Sequence, residues 1–295
     1  MKATKYISIA AAIVALAACS NEEELTSYQT DPDAVRFAVS VDEGIAISRS
    51  NPIDEDATKR KTFNEGDVVT ISAAGQQAVN YTLDGNGAWT PGDGKYLTWD
   101  AASVTFSAYY PGGVTGVSMT EFALPTEQNT EAKIQKADYM AVTKAEARPA
   151  IGRELTSLTL GRQTARIIVK IGGFGNQFAD AAPKVSDVKI NSAKKSLAET
   201  AVTSVTPFAT GEGGVNSTYT ALVIPGEANA AAEFITLKVG DTGLTVTGIP
   251  AAEAGHSYTY TLIVGKDAVS IASVTVNDWA TGEEISDDTE EQIQD

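Results

Sequence analysis

Val35-Arg36-Phe37-Ala38-Val39-Ser40-Val41 is the stretch that decides the fold. Its large apolar side chains alternate with small or polar ones, and this period of two turns one apolar face inward in a β-strand. Stretches of the same kind, rich in Thr, Val, Ile and Tyr, recur along the chain, as strand propensity favours. They lie at 67–73, 78–83, 103–109, 138–143, 155–160, 165–171, 185–190, 218–224, 234–239, 243–247, 258–264 and 269–276. Short strands at regular spacing predict an all-β protein built of β-sandwiches.

The segments between these strands carry turn residues and little helix. Asp84-Gly85-Asn86-Gly87 predicts a hairpin turn, because it lacks the further ligands and the distant glutamate of an EF-hand calcium loop. Only 131–137 and 228–233 have a brief helical character.

The number of strands predicts two sandwiches in tandem. With a dozen or more strands in 295 residues, we expect a division near 147–152. This gives an N-terminal sandwich at 35–150 and a C-terminal one at 151–280. Residues 281–295 are acidic and nearly free of apolar side chains, so we expect a solvated tail.

The N-terminus has the form of a secretory signal. Two lysines precede a short apolar segment that ends in Leu16-Ala17-Ala18-Cys19. The segment is shorter than the roughly 20 apolar residues that span a bilayer. The ending resembles a bacterial lipobox, which implies that residues 1–18 are removed by cleavage between Ala18 and Cys19 and that Cys19 is lipidated. An ordinary signal peptide with a chance cysteine is the alternative.

Residues 19–34 are polar and acidic, and we expect them to form a flexible tether after Cys19. Glu22, Glu23 and Glu24 resemble the acidic run that directs some lipoproteins of Gram-negative anaerobes to the outer face. A plain solvated linker explains the same residues equally well.

Composition limits the partners. Removing residues 1–18 takes away two lysines and no acid, which leaves 20 basic and 38 acidic residues and a net charge of about −18. Such a surface repels nucleic acid and anionic lipid headgroups, so we expect neither as a partner. Because Cys19 is the only cysteine, no intrachain disulfide can form, and a lipid there would be the membrane anchor.

The residue inventory argues against catalysis. His256 is the only histidine and lies in a turn-like stretch before a strand, so neither a histidine-rich metal site nor a triad is expected. We therefore expect no catalytic residue, no metal and no cofactor. A pair of carboxylates for glycoside hydrolysis depends on a separation in space, so the sequence leaves that alternative open.

The large aromatic residues allow two interpretations. Trp89, Trp99, Trp279, Tyr109 and Tyr110 lie in or beside predicted strands. In a sandwich such residues more often fill the core, which we favour, but on a surface they could stack on sugars.

Several short stretches, in their order and spacing, resemble the fimbrillins, the type V pilins and Mfa-like fimbrillin lipoproteins of Gram-negative anaerobes. These stretches are Phe63-Asn64-Glu65-Gly66-Asp67-Val68-Val69, Tyr81, Trp89, Tyr96-Leu97-Thr98-Trp99, Val104-Thr105-Phe106-Ser107-Ala108-Tyr109-Tyr110-Pro111, Asp138-Tyr139-Met140-Ala141, 158–169 and Val274-Thr275-Val276-Asn277-Asp278-Trp279.

The resemblance implies two tandem transthyretin-like antiparallel β-sandwich domains and a non-enzymatic structural role. It also implies export as an outer-membrane lipoprotein at the cell surface. A trypsin-like protease then cuts beyond the first strand, and the C-terminal strand of another pilin subunit fills the groove that the lost strand leaves. Arg49–Ser50 is the candidate cleavage site, and Lys59-Arg60-Lys61 competes with it.

The sequence gives less support to the other step of that mechanism, the donation of a C-terminal strand. The tail after Trp279 has few apolar residues, so the donor would have to be 269–279 itself. Its apolar residues change phase between Ile271 and Val274, which predicts a β-bulge. If this strand instead completes its own domain, the protein would be a tip, an anchor or a non-polymerising relative. A glycan-binding lipoprotein that stays anchored is the alternative function, and host or bacterial receptors or glycans are further candidate partners.

Overall fold

The structure is a computed structural model, and it describes residues 27–41, 52–53, 63–150, 154–178 and 183–279. The predicted all-β class is confirmed; within these ranges the only helices are two short α-helices, α1 (Ser27–Thr30) and α2 (Glu131–Gln135), and a 3₁₀ turn at Asn176–Phe178. The strands are β1 (Arg36–Val41), β2 (Val68–Ala73), β3 (Val79–Leu83), β4 (Trp89–Pro91), β5 (Ser103–Tyr110), β6 (Met140–Ala147), β7 (Leu155–Arg162), β8 (Ala165–Phe174), β9 (Val185–Ser192), β10 (Thr203–Val205), β11 (Phe208–Thr210), β12 (Thr218–Val223), β13 (Asn229–Val239), β14 (Thr242–Ile249), β15 (His256–Val264) and β16 (Val269–Asp278).

One of the two predicted helices, at 228–233, is wrong. Residues 228–233, which are rich in alanine, fall almost entirely in strand β13. Pairing of Asn229 with Ile249 and of Glu233 with Thr247 in β14 overrides the helical preference of alanine. The other predicted helix is present as α2, whose Thr130 side chain caps it by accepting a hydrogen bond from the Lys133 backbone N–H.

Seven strands form the first sheet, in the order β1-β7-β6-β5-β2-β3-β4. This sheet curls around one apolar core, because Phe37 of β1 packs against Tyr81 of β3 although four strands lie between them in the sheet. Its β1–β7 pair is parallel, which departs from the expected antiparallel arrangement.

The second core lies between two sheets, one ordered β10-β9-β13-β14 and the other β11-β12-β8-β15-β16. The β8–β15 pair in the latter is also parallel. Within β16, Ser273 pairs with Thr261 and Ile271 pairs with Leu262. Ala272 is therefore the extra residue of a bulge, which confirms the phase change seen in the sequence.

Strand β7 lies on the N-terminal side of the fold, whereas the expected division at 150/151 places it in the C-terminal sandwich. It pairs with β1 and β6, and Leu158 and Leu160 are buried in the first core. We propose that the division falls at residues 163–164, between β7 and β8.

Residues 122–139 cross from the first sheet onto the second core. Phe122, Ile134 and Tyr139 are buried there. The buried Gln128 side chain accepts a hydrogen bond from Leu222 N at 2.8 Å and donates one to Leu222 O at 2.9 Å, one residue before the end of β12. The two cores are thus connected by residues 122–139, which pack on the second core, as well as by the β7–β8 connection.

Candidate functional site at the N-terminal strand

Among the described residues, strand β1 is paired on one side only and lies at the edge of its sheet. Its register with β7 runs from Arg36 opposite Leu155 to Val41 opposite Leu160. Buried and half-buried residues alternate along all six positions, as the sequence predicted. β1 therefore inserts one row of apolar side chains into the first core, while its other backbone edge is outside the sheet.

Phe37 is the central side chain of this row. Its ring meets Tyr81 and Phe106 edge-on, with centroids 5.1 and 5.2 Å away. Burial raises the pKa of Tyr81 well above its usual range, so its phenol is neutral at physiological pH. That phenol oxygen accepts a hydrogen bond from Leu97 N at 3.0 Å. The pocket that receives β1 is thus aromatic, uncharged and internally hydrogen-bonded.

The chain just before β1 is structured, which corrects the predicted tether at its C-terminal end. Residues 27–30 form α1, and Val35 N donates to Leu97 O while Trp99 N donates to Asp33 O, both at 2.8 Å. Asp33 also forms an ion pair with Arg148. These contacts with distant residues order the polar segment at 27–35, for which the composition alone predicts a solvated linker.

A groove of about 550 Å³ runs along the open edge of β1 and separates it from β4, the strand at the other end of the same sheet. It is lined by residues of α1, β1, the β3–β4 turn and β4, with Leu155 of β7 at its margin. Leu155 is 62% exposed. In the part of the chain that the structure describes, the two ends of the sheet therefore approach each other at this groove, but β1 and β4 do not pair.

The end of β7 carries a buried ion pair. Arg162 Nε and Nη2 donate to the two carboxylate oxygens of Asp138, at 3.1 and 3.2 Å, and both side chains are fully buried. Nearby, Asp67 accepts hydrogen bonds from Asn64 N at 2.6 Å and from the Tyr110 hydroxyl at 3.1 Å. Burial outweighs these bonds and raises the pKa of the Asp67 carboxyl.

Sequence reasoning did not find the partners at this junction. Asp138 entered only as the first residue of a predicted strand and as part of a family-like stretch, and neither Arg162 nor Arg166 was singled out. The available signal was an arginine within an apolar strand, since a buried charge requires a partner. The identity of that partner, 24 residues away in the case of Arg162, depends on the fold.

The predicted processing sites lie outside the described residues. This applies to Ala18 and Cys19, to Arg49 and Ser50, and to the competing Lys59-Arg60-Lys61. β1 ends at Val41, and the next described residues are Pro52 and Ile53. The sequence therefore places Arg49 between β1 and Pro52, and cleavage there remains a prediction.

The aromatic side chains are mostly in the cores, as we favoured. Trp89, Trp99 and Trp279 are 4%, 6% and 0% exposed, and Tyr110 is also buried, whereas Tyr109 is half-buried. The predicted turn at 84–87 is confirmed, because Asp84 Oδ1 accepts hydrogen bonds from Asn86 N and Ala88 N between paired strands β3 and β4. The tryptophans thus form no sugar-stacking surface.

His256 opens β15, close to Glu253, with its ring Nε2 3.8 Å from that carboxylate. The hydroxyl of neighbouring Ser257 accepts a hydrogen bond from Arg166 Nε instead of facing the imidazole. Across the five described ranges, no group of three or more His, Cys, Asp or Glu side chains could hold a metal ion. No helix within those ranges is long and apolar enough to cross a membrane.

Comparison with known proteins agrees with this geometry. A family model described as fimbrillin-like matches residues 52–279. The fold is similar to that of a protein assigned to cell adhesion in Bacteroides uniformis, with a TM-score of 0.53, 16% identity, and coverage of 83% of this chain and 98% of that one. A protein with the same assignment in Bacteroides ovatus gives a TM-score of 0.54 at 12% identity, covering 86% and 99%. No curated protein sequence matches the chain.

Proposed function

The chain belongs to the fimbrillin-like family, and from that premise we propose that it is a non-enzymatic structural subunit of a type V pilus or a surface adhesin. Export as an outer-membrane lipoprotein, through cleavage after Ala18 and lipidation of Cys19, is part of this proposal. The observation that carries it is β1, which lies at the edge of the sheet that the described residues form, pairs with β7 there and has a full row of buried apolar side chains.

Loss of β1 would leave a groove that must be refilled. Val35, Phe37, Val39 and Val41 are each at most 2% exposed. At about 1.5–3 kcal/mol for each buried side chain, their burial contributes roughly 6–12 kcal/mol. This is comparable to the whole stability of a typical domain, about 5–15 kcal/mol. A chain cut at Arg49 and stripped of β1 would thus need a strand from elsewhere, which is the requirement for assembly by strand exchange.

The other partner of such an exchange is β16. It is paired with β15 from Val269 to Asp278 in its own sheet. While it stays there, the chain can accept a strand but cannot donate this one, as expected of a terminal or anchoring subunit. Release of β16 would make it a subunit of the shaft.

The test uses the full-length lipoprotein and a trypsin-like protease, with Arg49→Ala as the matched control. We expect a new N-terminus at Ser50 and capture of a labelled peptide with the sequence 35–41 by the cut protein only. SDS-resistant oligomers would identify a shaft subunit, and capture without oligomers a terminal one. Clean cleavage at Arg49 with neither capture nor oligomers would refute the proposal.

The alternative of a permanently anchored glycan-binding lipoprotein has lost its main support, since the tryptophans that would stack on sugars are buried.

A further inference from the structure

Strand β16 is held weakly for a strand of its length. It is the last strand of its sheet as far as the structure describes the chain, and none of its ten residues is fully buried. Val274 is 49% exposed although it lies opposite the buried Tyr260. The bulge at Ala272 further interrupts its ladder with β15. Apolar burial along β16 therefore contributes less to its position than it does for β1.

The residue that follows β16 is held tightly. Trp279 is fully buried, and its backbone N–H donates to Gly255 O at 2.9 Å. The Arg162 guanidinium lies 4.4 Å from the indole ring and the Arg166 guanidinium 5.3 Å from it. Because indole Nε1 has no hydrogen-bond partner among the described residues, the ring is held by packing and by cation–π attraction.

The two arginines connect Trp279 to other parts of the chain. Arg162 belongs to β7 of the first sheet and is fixed by the buried Asp138. Arg166 belongs to β8, donates from Nε to Ser257 Oγ at 2.9 Å and from Nη1 to Pro52 O at 3.0 Å. Pro52 is buried and lies three residues after Arg49 in the sequence. The end of β16 and the chain just after the candidate cleavage site therefore meet at one guanidinium.

We propose that Trp279, clamped between Arg162 and Arg166, is a latch that keeps β16 on its own chain, and that the Arg166–Pro52 contact makes this latch sensitive to cleavage before Pro52. In the uncut chain, the polypeptide continues on both sides of Pro52. This restricts the movement of the Pro52 carbonyl, which accepts the hydrogen bond from Arg166. After a cut at Arg49, Pro52 is the third residue from a free N-terminus, so its hold on Arg166 weakens. The second half of the inference rests on the proposed function, and the latch itself does not.

The latch is tested by hydrogen–deuterium exchange of the full chain, measured peptide by peptide. In Trp279→Leu, we expect the amides of β16 to exchange about tenfold faster, while those of β12 and β13 keep their parent rates. Arg166→Lys is the milder variant: it keeps the charge but loses the planar guanidinium, and about threefold is expected. Parent rates in β16, or an equal acceleration throughout the second sandwich, would overturn the latch.

The coupling is tested with a chain whose residues 45–49 are replaced by the recognition sequence of a site-specific protease. After the cut, we expect β16 to exchange about threefold faster or more than in the uncut chain, and no change in β12. If the cut chain captures the 35–41 peptide but β16 is unaffected, the coupling fails and the proposed function stands. If nothing is captured but Trp279→Leu frees β16, the proposed function fails and the latch stands.

Discussion

Replacing Phe37 by alanine should loosen the N-terminal strand more than any other part of the protein. Phe37 is 2% exposed and lies edge-on to Tyr81 and Phe106, both fully buried. Phe→Ala at such a site costs about 3–5 kcal/mol, which includes the cavity that remains. With a urea m-value of about 2 kcal/mol/M, the unfolding midpoint of the part built on the first sheet should fall by about 2 M. Tryptophan fluorescence reports the transition, since Trp89 and Trp99 lie in this core.

Phe234→Ala is the matched control. Phe234 is also 2% exposed and lies edge-on to Tyr260 at 5.0 Å, but it belongs to the second core. Both variants should lose similar stability, whereas only Phe37→Ala should speed exchange of the β1 amides and cleavage after Arg49. A loss below about 1 kcal/mol in Phe37→Ala, or equal accessibility of β1 in the two variants, would contradict the reasoning.

Three further experiments test the rest of the framework. Gln128→Ala leaves the backbone N–H and C=O of Leu222 without the Gln128 side chain in a buried site, so it should lower the free energy of unfolding in urea by about 2–4 kcal/mol. A loss below about 0.5 kcal/mol would mean that water replaces the side chain. The raised pKa of Asp67 means that the folded chain binds this proton more tightly than the unfolded one, so stability should fall as pH rises from about 4 through that raised pKa. Asp67→Asn should flatten this slope in unfolding series at successive pH values, and an unchanged slope would show that another group is responsible. A Cβ at Gly112 would collide with the backbone of β2, whereas a Cβ at Gly92 would have its nearest contact at 3.8 Å. Gly112→Ala should therefore lower the melting temperature by several degrees, and Gly92→Ala by about one degree or less.

The local sequence pattern was sufficient to predict a strand where one face of that strand is buried, because burial of one face imposes a period of two on its side chains. The alternation around Phe37 predicted β1, and the phase change between Ile271 and Val274 predicted the bulge in β16. The three-residue strands β4, β10 and β11 escaped prediction because three residues do not display a period.

Assignment of elements to sheets could not be predicted in the same way. Strand β7 alternates as it would in either sandwich, and only its pairing with β1 places it in the first sheet. The candidate site was likewise predictable only in part. The sequence predicted β1 and its row of apolar side chains. The open edge, the groove along it, and the meeting of Arg166 with Pro52 and Trp279 depend on contacts between distant parts of the chain.

The parallel pairing of β1 with β7 also sets an order of folding. The hydroxyl oxygens of Ser40 and Thr159 lie 3.2 Å apart but are separated by 119 residues in the chain. Closing a loop of that length costs about 4 kcal/mol in chain entropy beyond a constant, before any pairing energy is returned. β1 is synthesised first in this sheet, yet its pairing partner β7 is synthesised last, so the β1–β7 pairing cannot form until the whole sheet has been made. Until then β1 is an unpaired amphipathic strand, and during export it needs protection from aggregation.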